Sequence, residues 1–199
     1  MLKHELFERE ILLLESEDLR DFARWYFDNW VGDWFFKTGA SSSGKYHPAF
    51  VQGEGGLVRH TRAVCLVCEE LLRMSSYAYM NAEYKDYALL ACLLHDTCKY
   101  GGLLEDHEVY KFHGRAAADT AAHAWAQFFD TPFPTLLWMA INSHMGQWTE
   151  NREDRPFTNI DRLVHLSDYI ASRPFWDIPI INFEYMEDTK DTPCTPLPF

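Results

Sequence analysis

An all-α helical bundle followed by a proline-rich tail is the architecture this chain predicts, and three observations predict it. Nearly every apolar stretch repeats at the helical spacing of three and four rather than alternating at two. Prolines, glycines, Ser and Asp interrupt those stretches where helix ends would fall. Five of the nine prolines lie in residues 174–199, where the periodicity stops and an extended segment is expected.

Taken in order, residues 4–14 read as a short amphipathic helix. Ser16 or Asp18 is suited to cap a second helix through residue 36, with Phe22, Trp25, Tyr26, Trp30 and Trp34 or Phe35 near one face. An aromatic stripe at helical spacing is core or subunit interface more often than ligand platform, so a homo-oligomer through this helix stays open. A Gly/Ser loop follows at 38–56, TGASSSGKYHPAFVQGEGG. Helical patterning resumes at 57–74, 83–98, 113–129, 133–144 and 158–172. Asp130, Pro132 and Pro134 punctuate this series, and Gly146 follows the helix expected to end at His144. With no internal repeat and no clear linker, residues 1–199 read as a single domain. Its parts are N-terminal helices at 1–37, a core at 57–172 and a tail at 173–199.

The composition, 47% hydrophobic and 24% charged over 199 residues, is that of a globular chain able to bury a core. Eighteen Lys and Arg against 30 Asp and Glu give a net charge of −12. Such a balance argues against duplex nucleic acid and anionic membranes as partners, because both call for a basic surface. Small phosphorylated ligands remain allowed, since a bound divalent metal reverses the sign of a site locally. The N-terminus intersperses charges with its apolar residues and lacks a signal-peptide core, and apolar runs such as 87–94 fall short of a bilayer span. Five cysteines, an odd number, fit a reducing compartment, and a cytoplasmic location is expected. Cys65 and Cys68 form a lone CxxC inside an apolar helical pattern, which reads as two small buried residues one turn apart.

Chemistry concentrates in ALLACLLHDTCKYGG, residues 88–102, where an apolar helix delivers His95 and Asp96 side by side. Burying an imidazole and a carboxylate is costly unless they are paired or bound to a cation. A structural His–Asp pair would satisfy that requirement, and so would a divalent metal. Further candidates sit at helix ends or next to small residues: His60, His113, His144 and Asp168. Four histidines and two carboxylates suit two ions with open positions better than one closed structural zinc.

The ordered set His60, His95-Asp96, Asp168 resembles the H…HD…D signature of the HD-domain metal-dependent phosphohydrolases, and HDTCKYG is similar to their HD-x-x-K-x-G string. His113 and His144 match the intervening histidines of binuclear members such as YhaM-like exoribonucleases and HD-GYP phosphodiesterases. The resemblance spans about 57–172 and implies an all-α fold, in agreement with the periodicity. It implies that His60, His95, Asp96 and Asp168 hold one divalent transition metal (Mn, Fe, Co, Ni or Zn). Asp96 would bridge to a second held by His113 and His144. Between the ions a water of lowered pKa would attack phosphorus. Asp96 and Lys99 are the expected catalytic residues, Lys99 either meeting phosphate or resting as a helix-end cation. Thr97 and Cys98 depart from the small pair frequent in the family.

Substrate contacts are expected from Lys45 and His47 in the loop and from Arg59 and Arg115, which flank candidate ligands. His165, three residues before Asp168, is expected to support it; His4, His107 and His123 match no motif, and Trp148 and Phe175 are candidates for base stacking. The activity these residues suggest is hydrolysis of a phosphoester in a nucleotide, cyclic nucleotide or short oligonucleotide. A single-metal nucleotidase or dNTP phosphohydrolase, and a non-catalytic metal- and nucleotide-binding module, stand as the alternatives.

Overall fold

The computed structural model describes residues 2–41, 47–101, 111–149 and 151–174. Among them the chain is all-α, with seven α-helices, short 3-10 turns and no strand. The expected helix over 4–14 is a 3-10 turn, Lys3–Phe7, followed by the single-turn α1, Glu8–Ile11. The two part at Phe7, whose ring is fully buried and stacks on Phe27 at 4.4 Å between centroids.

The second helix, α2, runs Glu17–Trp30. Ser16 caps it by accepting a hydrogen bond from the Leu19 N–H, and Glu17 and Asp18 complement the helix dipole. It stops short of residue 36. Val31 is extended, and with Gly32 it is a poor helix former. A separate 3-10 turn, Asp33–Phe36, then folds Trp34 and Phe35 back into the interior. The aromatic stripe is core within the chain: Phe22 packs among Trp125, Phe128 and Phe129 of the next layer.

The remaining helices are α3 (Gly56–Leu72), α4 (Ala82–Leu94), α5 (His113–Phe128), α6 (Thr135–Asn142) and α7 (Asn159–Ala171). Helix α4 is apolar all round over residues 88–94, every one of them buried. That pattern belongs to a central helix, and α3, α6 and α7 surround it while α5 packs on α6. Asn81 caps α4, and Thr158 and Asp161 form a reciprocal capping box at the start of α7. Asp86 reaches from α4 to accept the Glu15 and Ser16 N–H groups at 2.8 and 2.9 Å, tying the start of α2 to the central helix.

Cys65 and Cys68 are buried free thiols on α3, as a lone CxxC inside an apolar helix suggests. Among the described residues, no helix is long and apolar enough to cross a membrane. The tail beyond Pro174 lies outside the described residues.

Candidate metal centre

Helix α4 ends at Leu94, four residues before the sequence pattern suggests, and this stop builds the site. Thr97 folds its hydroxyl back to donate to the Leu94 carbonyl at 2.8 Å, while the Thr97 N–H bonds the same carbonyl at 3.1 Å. His95 and Asp96 therefore stand on a tight turn at the end of the most buried helix. The Thr97 proton being spent on Leu94, the Tyr26 hydroxyl donates to Thr97 Oγ1 at 3.1 Å. Cys98 Sγ reaches Thr120 on α5 at 3.5 Å. The Thr97-Cys98 departure from small residues thus adds two polar ties that brace the turn against α2 and α5.

Four further groups are brought to this turn. His60 is the fifth residue of α3, His113 opens α5, His144 stands on the turn just past α6, and Asp168 lies in the last turn of α7. The four histidines and Asp96 are buried, and Asp168 is half-buried. Asp96 occupies the middle. Its Oδ2 is 3.5 Å from His95 Nε2 and 3.7 Å from His60 Nε2; its Oδ1 is 3.2 Å from His113 Nε2 and 3.6 Å from His144 Nε2. Asp168 Oδ1 is 3.1 Å from His60 Nε2. Two candidate ligand groups result, His60–His95–Asp168 and Asp96–His113–His144.

The hydrogen bonds around the rings fix which nitrogen faces inward. His95 Nδ1 lies 2.8 Å from the Cys92 carbonyl and His144 Nδ1 lies 2.8 Å from the Ile141 carbonyl. A carbonyl only accepts, so each Nδ1 carries a proton, and in the neutral form that binds a metal each ring turns a bare Nε2 lone pair toward the site. Within the two groups, His60 and His95 Nε2 approach to 3.4 Å, and His113 and His144 Nε2 to 3.1 Å. Four ring nitrogens gathered this closely around a carboxylate, two of them with Nδ1 already committed to a carbonyl, suit a cation between them. The spacing agrees: donors about 2.1 Å from one ion stand about 3.0 Å apart at a right angle and about 3.4 Å apart at the tetrahedral angle. Asp96 Oδ1 and His60 Nδ1 are also buried without a hydrogen-bond partner. The residues present fit a divalent metal.

Electrostatics favour the ionised carboxylates. Burial pushes Asp96 up, but the charges of Lys99 and then His95 outweigh it and hold the carboxyl well below the usual range. Burial opposes ionisation of Asp168 as well, and the hydrogen bond and charge of His60 overcome it. Burial lowers His60 and His144 despite their carboxylate neighbours, whereas at His95 the Asp96 charge overrides burial and raises it. Lys99 Nζ is 2.6 Å from Asp96 Oδ2, and that charge lifts its pKa against burial.

An open cleft of about 230 Å³ reaches the centre, with Asp96, Lys99, His113, His144 and Asp168 at its floor. His47 lies on its wall, its ring 5.7 Å from that of His60. Burial, with the His60 charge next, lowers His47 to about 4, leaving it neutral near pH 7. Lys45 lies outside the described residues. Arg59 donates to the Phe50 and Gln52 carbonyls, fastening the segment that carries His47. Arg115 lies over the Trp138 ring and lines a separate small pocket. His165 does not reach Asp168. Its ring fills the space beside Gly146, and Nδ1 bonds the His144 carbonyl at 2.7 Å.

Two glycines outside the ligand pattern, Gly114 and Gly146, shape the centre. A Cβ at Gly114 would stand 2.7 Å from the Asn142 carbonyl and 3.2 Å from the His144 ring, so only glycine lets α5 approach that histidine. Gly146 has φ +58° and is packed against the His165 ring where a Cβ would project. A glycine one or two residues after the histidine, in HG and HMG, is the sequence signal for both.

Comparison with known proteins agrees with this geometry. The sequence model of the HD domain family matches residues 57–173, well over half of the chain. No curated protein and no solved structure matches it.

Proposed function

The chain belongs to the HD domain family, whose members are generally metal-dependent hydrolases, and on that premise we propose that it hydrolyses the phosphoester of a nucleotide, cyclic nucleotide or short oligonucleotide. The observation that carries the reading is the Asp96 carboxylate, with one oxygen facing His60 and His95 and the other facing His113 and His144. His60, His95 and Asp168, with Asp96 Oδ2, would hold one divalent ion, and Asp96 Oδ1, His113 and His144 a second. Bound ions supply Lewis acidity toward the phosphoryl oxygens and lower the pKa of water at the site.

The chain's own residues do the rest. The Cys92 and Ile141 carbonyls lock His95 and His144 in the tautomer that presents Nε2. Lys99 orients Asp96 and keeps a positive charge on the cleft floor, where it favours the charge that develops on the phosphoryl oxygens. Neutral His47 offers a hydrogen bond to a substrate oxygen from the wall, held there by Arg59. In this scheme Arg59 acts on substrate through His47. The small cleft and the acidic chain favour a small phosphorylated substrate over long RNA.

The test is purified protein supplied with Mn²⁺, Co²⁺, Ni²⁺ or Fe²⁺ and offered nucleotides, cyclic nucleotides and short RNA. Metal-dependent hydrolysis that disappears in Asp96→Ala is expected. Absence of turnover with every metal and substrate would overturn the reading.

A further inference from the structure

The hydrolytic reading uses the floor of the cleft and leaves its rim unexplained. The cleft is also lined by Met145 and Trp148, on the turn that follows α6 and shared with the small pocket beside Arg115, and by Tyr169 and Arg173, in and just past the last turn of α7. Trp148 is 60% exposed, a large apolar face left in water beside a charged floor. Exposed aromatic surface at a cleft mouth is the kind of feature that marks a binding contact.

The turn beneath Trp148 is rigid. Gly146 adopts φ +58° against the His165 ring, and His165 Nδ1 donates to the His144 carbonyl at 2.7 Å. Successive backbone bonds, Gly146 N–H to Ser143 at 2.9 Å, Trp148 N–H to Met145 at 3.1 Å and Thr149 N–H to Gly146 at 3.2 Å, close the coil. Trp148 therefore stands four residues from the candidate ligand His144 on the same braced segment and lines the same cleft as Asp96. A rigid aromatic ring spends little conformational freedom on binding a flat partner. The thioether of Met145 beside it is polarizable and adapts to rings of different outline.

A ligand matching this layout has an anionic phosphoester at one end, a short polar spacer and a planar ring at the other. We infer that Trp148, with Met145, seats the planar base of a nucleoside phosphate whose phosphoester lies over Asp96, which makes Trp148 the specificity residue of the cleft. The inference rests on the hydrolytic reading for the placement of the phosphate. Stacking on an indole discriminates a base from no base and scarcely one base from another, because every base has a π-face. The cleft thus takes all common nucleosides and disfavours phosphoesters without a ring.

Two non-hydrolysable probes that differ only in the base test this on the metal-loaded full chain. They are the analogues of AMP and of ribose 5-phosphate in which CH2 replaces the bridging ester oxygen. Wild type is expected to bind the AMP analogue at least about tenfold more tightly by calorimetry. Trp148→Ala is expected to lose about 5- to 150-fold for the AMP analogue, with unchanged affinity for the ribose analogue and unchanged metal content, and Trp148→Phe to retain most of the preference. Equal binding of the two probes by wild type, or full affinity for the AMP analogue in Trp148→Ala, overturns the inference. The two readings fail separately. Base-dependent binding without turnover of AMP or any other phosphoester removes the hydrolytic reading and keeps the base seat. Turnover with the same KM for AMP and ribose 5-phosphate does the reverse.

Discussion

Asp96 places one oxygen before each of two histidine pairs, so a single isosteric change tests both ligand groups together. Asp96→Asn keeps the shape and removes the charge that offsets Lys99, whose side chain is only 13% exposed. Stripping one partner from a buried ion pair costs about 3–5 kcal/mol. The variant is expected to lose turnover, to fall from near two bound metal ions per chain to one or none by plasma mass spectrometry, and to melt at a lower temperature with its helical circular dichroism intact. Full metal content in Asp96→Asn would deny Asp96 a ligand role. A wild type holding one ion would favour a single-metal hydrolase. A second residue-scale test is Gly146→Ala. It forces a side chain into left-handed backbone and into the His165 ring, a strain of about 1–3 kcal/mol. Lower stability in urea and weaker metal retention are expected together, because the same turn carries His144. Full metal retention would mean that the turn does not position it. The six candidate ligands were legible in the sequence because their residue types and order carry the pattern. The packing roles of Gly114 and Gly146 were not, since each acts by its distance from a side chain on another element, and one-dimensional spacing does not encode that distance.

At the scale of elements, periodicity located every long helix among the described residues and misplaced several ends. The pattern over 83–98 runs past Leu94 because His95, Asp96, Thr97 and Cys98 do nothing to break a helical repeat on paper. The end is decided by the Thr97 hydroxyl, which takes the Leu94 carbonyl, and is braced by Tyr26, which reaches Thr97 from a helix 71 positions earlier. The α2 boundary fails for a related reason. An aromatic repeat continues through Trp34 and Phe35, but extended Val31 breaks the helix, and both rings reach the core from a separate turn. The Tyr26–Thr97 tie gives an element-scale prediction. Tyr26→Phe removes one buried hydrogen bond between α2 and the turn bearing His95 and Asp96, at a cost of about 0.5–1.5 kcal/mol. Thr97 keeps its bond to Leu94, so the helix end survives. Urea unfolding should therefore show a lower midpoint with an unchanged slope, and metal content should stay near that of wild type. An unchanged midpoint would show that the Tyr26 hydroxyl adds nothing to the brace.

For the molecule as a whole, the two facts to reconcile are an acidic chain at −12 and a proposed site for phosphate esters. Divalent ions at Asp96 would make the site cationic while the surrounding surface stays acidic, so attraction is local and repulsion is long-range. Charges in water are screened over about 10 Å at 0.1 M salt. A mononucleotide places its phosphate within that distance of the centre and keeps little charge outside it. A longer single strand extends further phosphates across the acidic surface. The ratio of kcat/KM for a dinucleotide to that for longer single strands of the same sequence is therefore expected to be large at about 50 mM salt and to shrink at about 200 mM. The shrinkage comes from faster capture of the long strands as repulsion is screened. A protein that held nucleic acid by counterion release from basic groups would behave oppositely, losing affinity for the long strands as salt rises. Preference for long strands at low salt, declining with added salt, would thus assign this chain an extended basic track that its charge balance argues against and would overturn the choice of a small substrate.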